Sequence, residues 1–363
     1  MLHILQLSSL ADHMLPGSAM HLQGHLHNIA SPAYSGSSST VLPTPPHQVS
    51  DVGAVVLMEL RIVQAAEALR DAGIRSLVLK GPSIGRWLYE TTQARRYGDS
   101  DFLVAPGDIL AAEKVIGALG YRHQGEALAG DRPWDAWYWM RPHDGAALDL
   151  HRTLTGVEVS PETAWKLLSG ETEVVKLRGV EVEFLNQPAR TLHLVLHAAD
   201  HGISSDRPLV ELAKGLDALP EDLWREAADL AVTLEATAAF SAGLRMLPEG
   251  AELAAHLNLP ANDSVEVALR ASPATRHALG LQWLLQTHGL RAKASLLFRK
   301  IAPPPPYMRA WSRLAQKGSL GLVLAYAWRP LYLLLKAPLT IHSWWRTRRE
   351  LRERLPTISD NTT

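Results

Sequence analysis

The stretch RRYGDSDFLV (95–104) sets two carboxylates, Asp99 and Asp101, one residue apart at the head of an apolar run. Pro106 follows closely, so residues 98–106, GDSDFLVAP, are expected to form a strand that the proline stops. Side chains two apart on a strand share a face, so both carboxylates converge on one point. Two such groups cannot both stay ionised there without a counter-charge. A divalent cation supplies one, and hard oxygen ligands suit Mg²⁺ (or Mn²⁺), which keeps its other positions for water and phosphate.

Working outward from this strand, the pattern alternates. VVLMELRIVQAAEALRDAG carries apolar residues at helical spacing and stops at Gly73, where a C-cap belongs. IRSLVLKG (74–81) is a β-rich run, PSIGRWLYETT is helical in pattern, and GDILAAEKVIGALGY is an amphipathic helix with Asp108 placed as its N-cap. GAALDLHRTL (145–154) is a further strand, and TEVVKLRGVEVEFLN predicts a hairpin around Arg178-Gly179. Residues 51–187 therefore form an α/β domain. Midway along AALDLHR stands a third carboxylate, Asp149. Three carboxylates on neighbouring strands can hold two metal ions for an in-line displacement at phosphorus. LVLKGPS places a strand, a glycine and a serine at the mouth of a helix, where free N–H groups favour an anion. Gly81 admits close backbone approach, Ser83 adds a hydroxyl, Lys80 adds a charge, and Arg95 or Arg96 is placed to clamp a phosphate.

Taken together, LVLKGPSIGRWLYETTQARRYGDSDFLV and ALDLHR resemble the uncharacterised nucleotidyltransferase family of the DNA polymerase β-like superfamily. The likeness is specific over 74–104 and weaker beyond. It matches Lys80-Gly81 and Ser83 to the nucleotide-phosphate turn, Tyr89 to a helix tyrosine and Arg95 to the family arginine. Asp99 and Asp101 match the metal pair, and Asp149-Leu150-His151 the third-carboxylate strand. The resemblance implies an α+β (α/β) fold with a mixed sheet flanked by helices, followed by an all-helical domain. It also implies a metal-dependent enzyme that moves a nucleoside monophosphate from an NTP to an acceptor such as a peptide, a sugar or a small metabolite. The chain departs from the family at Gly81-Pro82-Ser83, where proline removes one N–H from the turn, and at Ser100 between the aspartates.

The remaining features bound this reading. A net charge of -1 gives no global pull toward nucleic acid, and no basic stripe lies near the site, so a nucleic-acid partner is not expected. With Cys 0, thiolate catalysis and Cys-ligated zinc are excluded, and a cytoplasmic location fits. Residues 1–50 are rich in Ser, Pro and Thr without periodicity and are expected to be disordered. Residues 188–300 read as helical throughout. His193, His197 and His201 recur every four residues on one helix face; no carboxylate pattern completes a zinc site, and packing or substrate lining is the expectation. Over 301–363, APPPPYM predicts a polyproline II break before a tail that is apolar and then basic. Arg329-Pro330 in mid-tail argues against a spanning helix, leaving residues 318–354 either at a membrane surface or packed on the helical domain. Two rival functions stay open: a related phosphotransferase or RNA-end-modifying enzyme, and a catalytically silent scaffold at a membrane surface.

Overall fold

A computed structural model describes residues 51–89, 97–123, 137–202, 206–261, 264–272, 275–287, 289–303 and 305–354. The expected disorder of 1–50 and the clamp residues Arg95 and Arg96 fall outside the described residues.

The chain enters the fold through helix α1 (Asp51–Asp71), which closes as expected at Gly73. Gly73 takes φ +75°, and Ile74 N–H returns to the Leu69 carbonyl at 2.9 Å, so the last carbonyls of the helix are satisfied. There follow β1 (Ser76–Val78), α2 (Pro82–Leu88), β2 (Asp99–Val104) and α3 (Ile109–Ala118). Next come β3 (Arg122–His123), β4 (Trp137–Arg141), β5 (Ala146–His151) and α4 (Pro161–Leu168), and then β6 (Thr172–Leu177) and β7 (Val180–Leu185). The seven strands make one mixed sheet in the order β3-β4-β5-β2-β1-β7-β6. β2 runs parallel to β5 and antiparallel to β1, and β1 runs parallel to β7. The predicted hairpin is present: Leu177 pairs with Val180 across Arg178-Gly179, whose φ values of 50° and 89° are those of a two-residue turn with both centres left-handed.

Two strands escaped the sequence reading. β4 and β3 extend the sheet beyond β5, with β4 joined to β5 through a turn ending at Gly145, φ +67°. The run WYWMR before Pro-His-Asp-Gly carried that signal, since aromatic residues favour strands and Asp-Gly favours a turn. Asp108 sits at the N-cap of α3 as expected, but its side chain makes no capping bond, because a 3₁₀ turn (Pro106–Asp108) already leads into the helix.

The sheet is covered on both faces. Val78, Phe102, Val104, Leu148 and Leu150 pack with Ile62, Leu69 and Ile116 of α1 and α3. Leu77, Leu79 and Leu103 are buried in a second core with Leu192, Val195, Trp224 and Phe240. Each fully buried side chain of this size contributes about 2 kcal/mol. The second core is supplied by α5 (Gln187–His201), α7 (Glu221–Thr233) and α8 (Thr237–Leu244), with α6 (Asp206–Ala218) and α9 (Pro248–His256) alongside. Asn186 caps α5 by accepting from Ala189 N–H at 3.0 Å.

Beyond these come α10 (Val265–Ala271), α11 (Leu279–Gln286), α12 (Leu290–Ile301), α13 (Pro305–Trp311) and the long α14 (Gly318–Arg354). The expected polyproline II segment is corrected here: Pro305 and Pro306 open α13. First-turn N–H groups have no partner within a helix, so prolines cost nothing there and their fixed φ suits the start.

Candidate active site

The site is built where β2 and β5 run side by side. Their register puts Asp101 opposite Asp149 and Leu103 opposite His151, so alternation brings Asp99, Asp101, Asp149 and His151 to one face of the sheet. That face is the one turned toward α5, because Leu103 shares it and packs with Leu192 and Val195. Asp101, Asp149 and His151 are all buried, and one ligand atom of each lies within 4.8 Å of the others. Asp99 stands two residues before Asp101 on the same face, largely enclosed and in electrostatic contact with it.

Two neighbours divide the carboxylates into unlike roles. Lys80 directs its Nζ to Asp101 Oδ1 at 2.8 Å, and His151 Nε2 meets the same oxygen at 3.1 Å. Burial alone would raise the Asp101 pKa, but Lys80 and His151 outweigh it and hold this carboxyl well below the usual range. Burial works against the Lys80 charge too, yet Asp101 and Asp99 overcome it and raise that pKa above the ordinary lysine value. At Asp149 the charges of His151 and Lys80 only partly offset burial. Burial, followed by the negative charge of Asp101, pushes its pKa up to about 7. At Asp99 the Asp101 charge acts first and burial second, again upward, with Lys80 and Arg207 pulling the other way.

The donor set fits a divalent cation. Asp101 Oδ2, Asp149 Oδ1 and His151 Nδ1 are buried without a hydrogen-bond partner among the described residues. Such orphaned acceptors are costly in a protein interior, and a cation between the strands would satisfy them. Asp101 and Asp149 are the hard ligands; the imidazole both orients Asp101 and offers a nitrogen.

The turn expected to hold phosphate lies beside this set. Leu79 N–H donates to the Asp101 carbonyl at 3.0 Å, which ties the end of β1 to β2 and delivers Lys80 to the site. Gly81 adopts φ +68°, and a Cβ there would stand 3.1 Å from the Tyr97 ring. Ser83 is buried and its hydroxyl donates to the Leu79 carbonyl at 2.8 Å, so its proton serves the turn itself. Tyr89, at the far end of α2, lies under Lys214 Nζ of α6, 4.7 Å from its ring centre.

Two contributors were not picked out in the sequence, and a third, the histidine row of α5, was expected as packing or substrate lining. Tyr138 of β4 pairs in register with Asp149 and is partly exposed; burial first, then Asp149 and Asp99, raise its pKa, which places its phenol at the mouth of the site. Strand alternation in WYWMR would have found it. Arg207 of α6 acts on Asp99 from the helical region, a long-range meeting with no local signal. The histidine row of α5 stands behind Lys80. His193 is fully enclosed; burial, then the Lys80 charge, lowers its pKa to about 3, while a hydrogen bond with the Leu79 backbone acts in the opposite direction. His197 is likewise held well below its ordinary value by burial and Lys80, and its ring lies 4.4 Å from that of His201.

Comparison with known proteins adds a family. Residues 54–250, more than half of the chain, match the family described as uncharacterised nucleotidyltransferase. No curated protein matches. Among solved structures, the solution structure of the antibiotic-resistance factor ANT(2'')-Ia is 15% identical and aligns over 49% of this chain and 91% of its own, with a TM-score of 0.35. The crystal structure of an antigenic nucleotidyltransferase-like protein from Paracoccidioides brasiliensis is 14% identical, over 49% of this chain and 92% of its own, with a TM-score of 0.31. At such scores neither structure adds weight to the fold described above.

Proposed function

The chain belongs to the uncharacterised nucleotidyltransferase family, and from that premise we propose that it transfers a nucleoside monophosphate from an NTP to an acceptor hydroxyl on a peptide, a sugar or a small metabolite. Asp101 and Asp149, with Asp99 beside them, would hold Mg²⁺ or Mn²⁺, which when bound supplies positive charge to the phosphate oxygens. The acceptor oxygen attacks the α-phosphorus, the bond to the β-phosphate oxygen breaks, and pyrophosphate leaves. The proton of the acceptor hydroxyl passes to the Asp149 carboxylate, which the parallel register sets directly beside Asp101. Lys80 and the Gly81 backbone would meet the β and γ phosphates, with Arg95 as a further clamp. Ser83 would hold the turn in shape rather than touch the nucleotide. Tyr138, at the rim, would bound the acceptor side.

The observation that carries this reading is the parallel register that faces Asp101 with Asp149 and leaves a buried oxygen of each unsatisfied. Its test is calorimetric titration of each NTP with Mg²⁺ or Mn²⁺, followed by incubation of mixed NTPs with candidate acceptors and mass analysis. The expected product gains one nucleoside monophosphate, and Asp101→Asn and Asp149→Asn abolish that gain. A gain of a single phosphate would instead indicate a phosphotransferase, and modification of RNA ends alone would indicate the RNA-directed rival.

One observation favours a second reading. The Lys80 ammonium already neutralises Asp101 at 2.8 Å, as in a site that has exchanged its cation for a lysine and become a silent scaffold. In that case no NTP gives heat with either metal, and Asp101→Asn leaves every binding property unchanged.

A further inference from the structure

Helix α14 presents two unlike faces. One packs on the protein: Arg329 is buried, donates from Nε to the Lys300 carbonyl at 2.7 Å and lies over the rings of Tyr307 and Trp311. Further along that face, Trp344 Nε1 donates to Gln282 Oε1 at 2.6 Å, and Ser343, Thr347 and Leu351 are buried. At 100° per residue, the opposite face carries Leu320, Leu324, Leu331, Leu334, Leu335 and Trp345. These are exposed, with Leu320 at 74%, Leu334 at 70% and Trp345 at 64%. From Leu320 to Trp345 that is about 38 Å of helix. The two charged residues within it, Arg329 and Lys336, are engaged elsewhere: Arg329 is buried, and Lys336 lies over the Tyr332 ring. Immediately afterwards, residues 346–354 hold five arginines and two glutamates.

We propose that α14 lies in the plane of an anionic lipid bilayer, its Leu320–Trp345 face in the headgroup–acyl boundary and its arginine end on the lipid phosphates. The stripe carries a single exposed polar side chain, His342, too little to set the register of a protein partner, whose interface would carry a polar rim. A bilayer requires no register. Tryptophan where the apolar stripe meets the basic segment is the arrangement favoured at a membrane–water boundary, and the positive end complements anionic headgroups. Spanning is opposed by the other face, since insertion would strip Arg329, Tyr326 and Trp344 of the partners that hold them.

The test uses the full chain with vesicles of phosphatidylcholine alone or with phosphatidylglycerol. Co-sedimentation should be roughly hundred-fold stronger on the anionic vesicles, as three net positive charges near the surface imply. L331E/L334E/L335E, all on the exposed side, should abolish binding to either vesicle while leaving the circular dichroism unchanged. R346Q/R349Q/R352Q should remove the preference for phosphatidylglycerol. Equal pelleting of the wild type and the triple-Glu variant overturns the proposal. So does a stable dimer, seen by sedimentation velocity, that the triple-Glu variant dissolves while vesicles bind neither form. Protein bound to anionic vesicles that resists extraction by alkaline carbonate overturns it too, because that marks a spanning helix.

Discussion

At the scale of single residues, two aspartates on one face have opposite fates. Asp101 receives both Lys80 and His151, while Asp149 has no cationic partner within hydrogen-bonding range among the described residues. Removing one member of a buried pair strands the other, so Asp101→Asn should destabilise the protein by about 3 kcal/mol, the low end of the range because Lys80 keeps some contact with water. Asp149→Asn removes a buried carboxyl that repels its neighbour, and should leave stability unchanged or raise it. Denaturant midpoints in EDTA at pH 8 separate the two, and both variants should lose turnover. The histidines behind Lys80 make a different prediction. His193 titrates near 3 in the folded protein, with His197 also well below its ordinary value, against about 6.5 in the unfolded chain. Between those values the unfolded state binds more protons, so their contribution to stability is complete above about pH 6.5 and is lost as pH falls. Each such histidine steepens the loss by about 1.4 kcal/mol per pH unit. Denaturation curves from pH 7 to 4 should therefore be markedly flatter for H193Q/H197Q.

At the scale of elements, the turn after β1 determines how the site is delivered. Gly81 is required twice over, by its left-handed φ and by the Tyr97 ring packed against it. Gly81→Ala should cost about 2 kcal/mol, from the left-handed penalty and the displaced ring. Because the same turn positions Lys80, the KM for NTP should rise more than kcat falls, which steady-state kinetics would show. Elements with a local cause could be read from the chain. Gly73 ends α1, Arg178-Gly179 makes the hairpin, and DSDFLV is a strand. The alternation that pairs Asp99 with Asp101 is local as well, so the carboxylate pair and Asp149 were visible as candidates. The short strand β3 and the helical start made by Pro305-Pro306 depend on which neighbour each segment meets. The ion pair of Lys80 with Asp101 likewise needs the β1–β2 register, which no local pattern encodes.

At the scale of the whole molecule, the expected boundary at residue 187 coincides with the start of α5, yet the apolar core crosses it. Leu77, Leu79, Leu103 and Leu185 on the sheet side share one buried cluster with Leu192, Val195, Trp224 and Phe240 on the helical side. The face of the sheet that carries the aspartates is roofed by the same helices: α5 brings the histidine row behind Lys80, and α6 brings Arg207 to Asp99. A composition change marks where strands give way to helices, but it carries no information about whether the two parts share a core. Here they do, and separating them would expose the apolar side of β1 and β2 to water at about 25 cal/mol for each Å² uncovered. Folding should then be a single cooperative event for the sheet and the helices through α9. Thermal unfolding followed by far-ultraviolet circular dichroism and by tryptophan fluorescence should give coincident transitions. A chain ending at residue 187 should show neither a cooperative transition nor protected amides in β1 and β2 by hydrogen exchange. Two separated transitions in the full chain, or a stably folded 51–187 fragment, would show that the helices roof an autonomous domain and that Arg207 and the α5 histidines are later additions to its site.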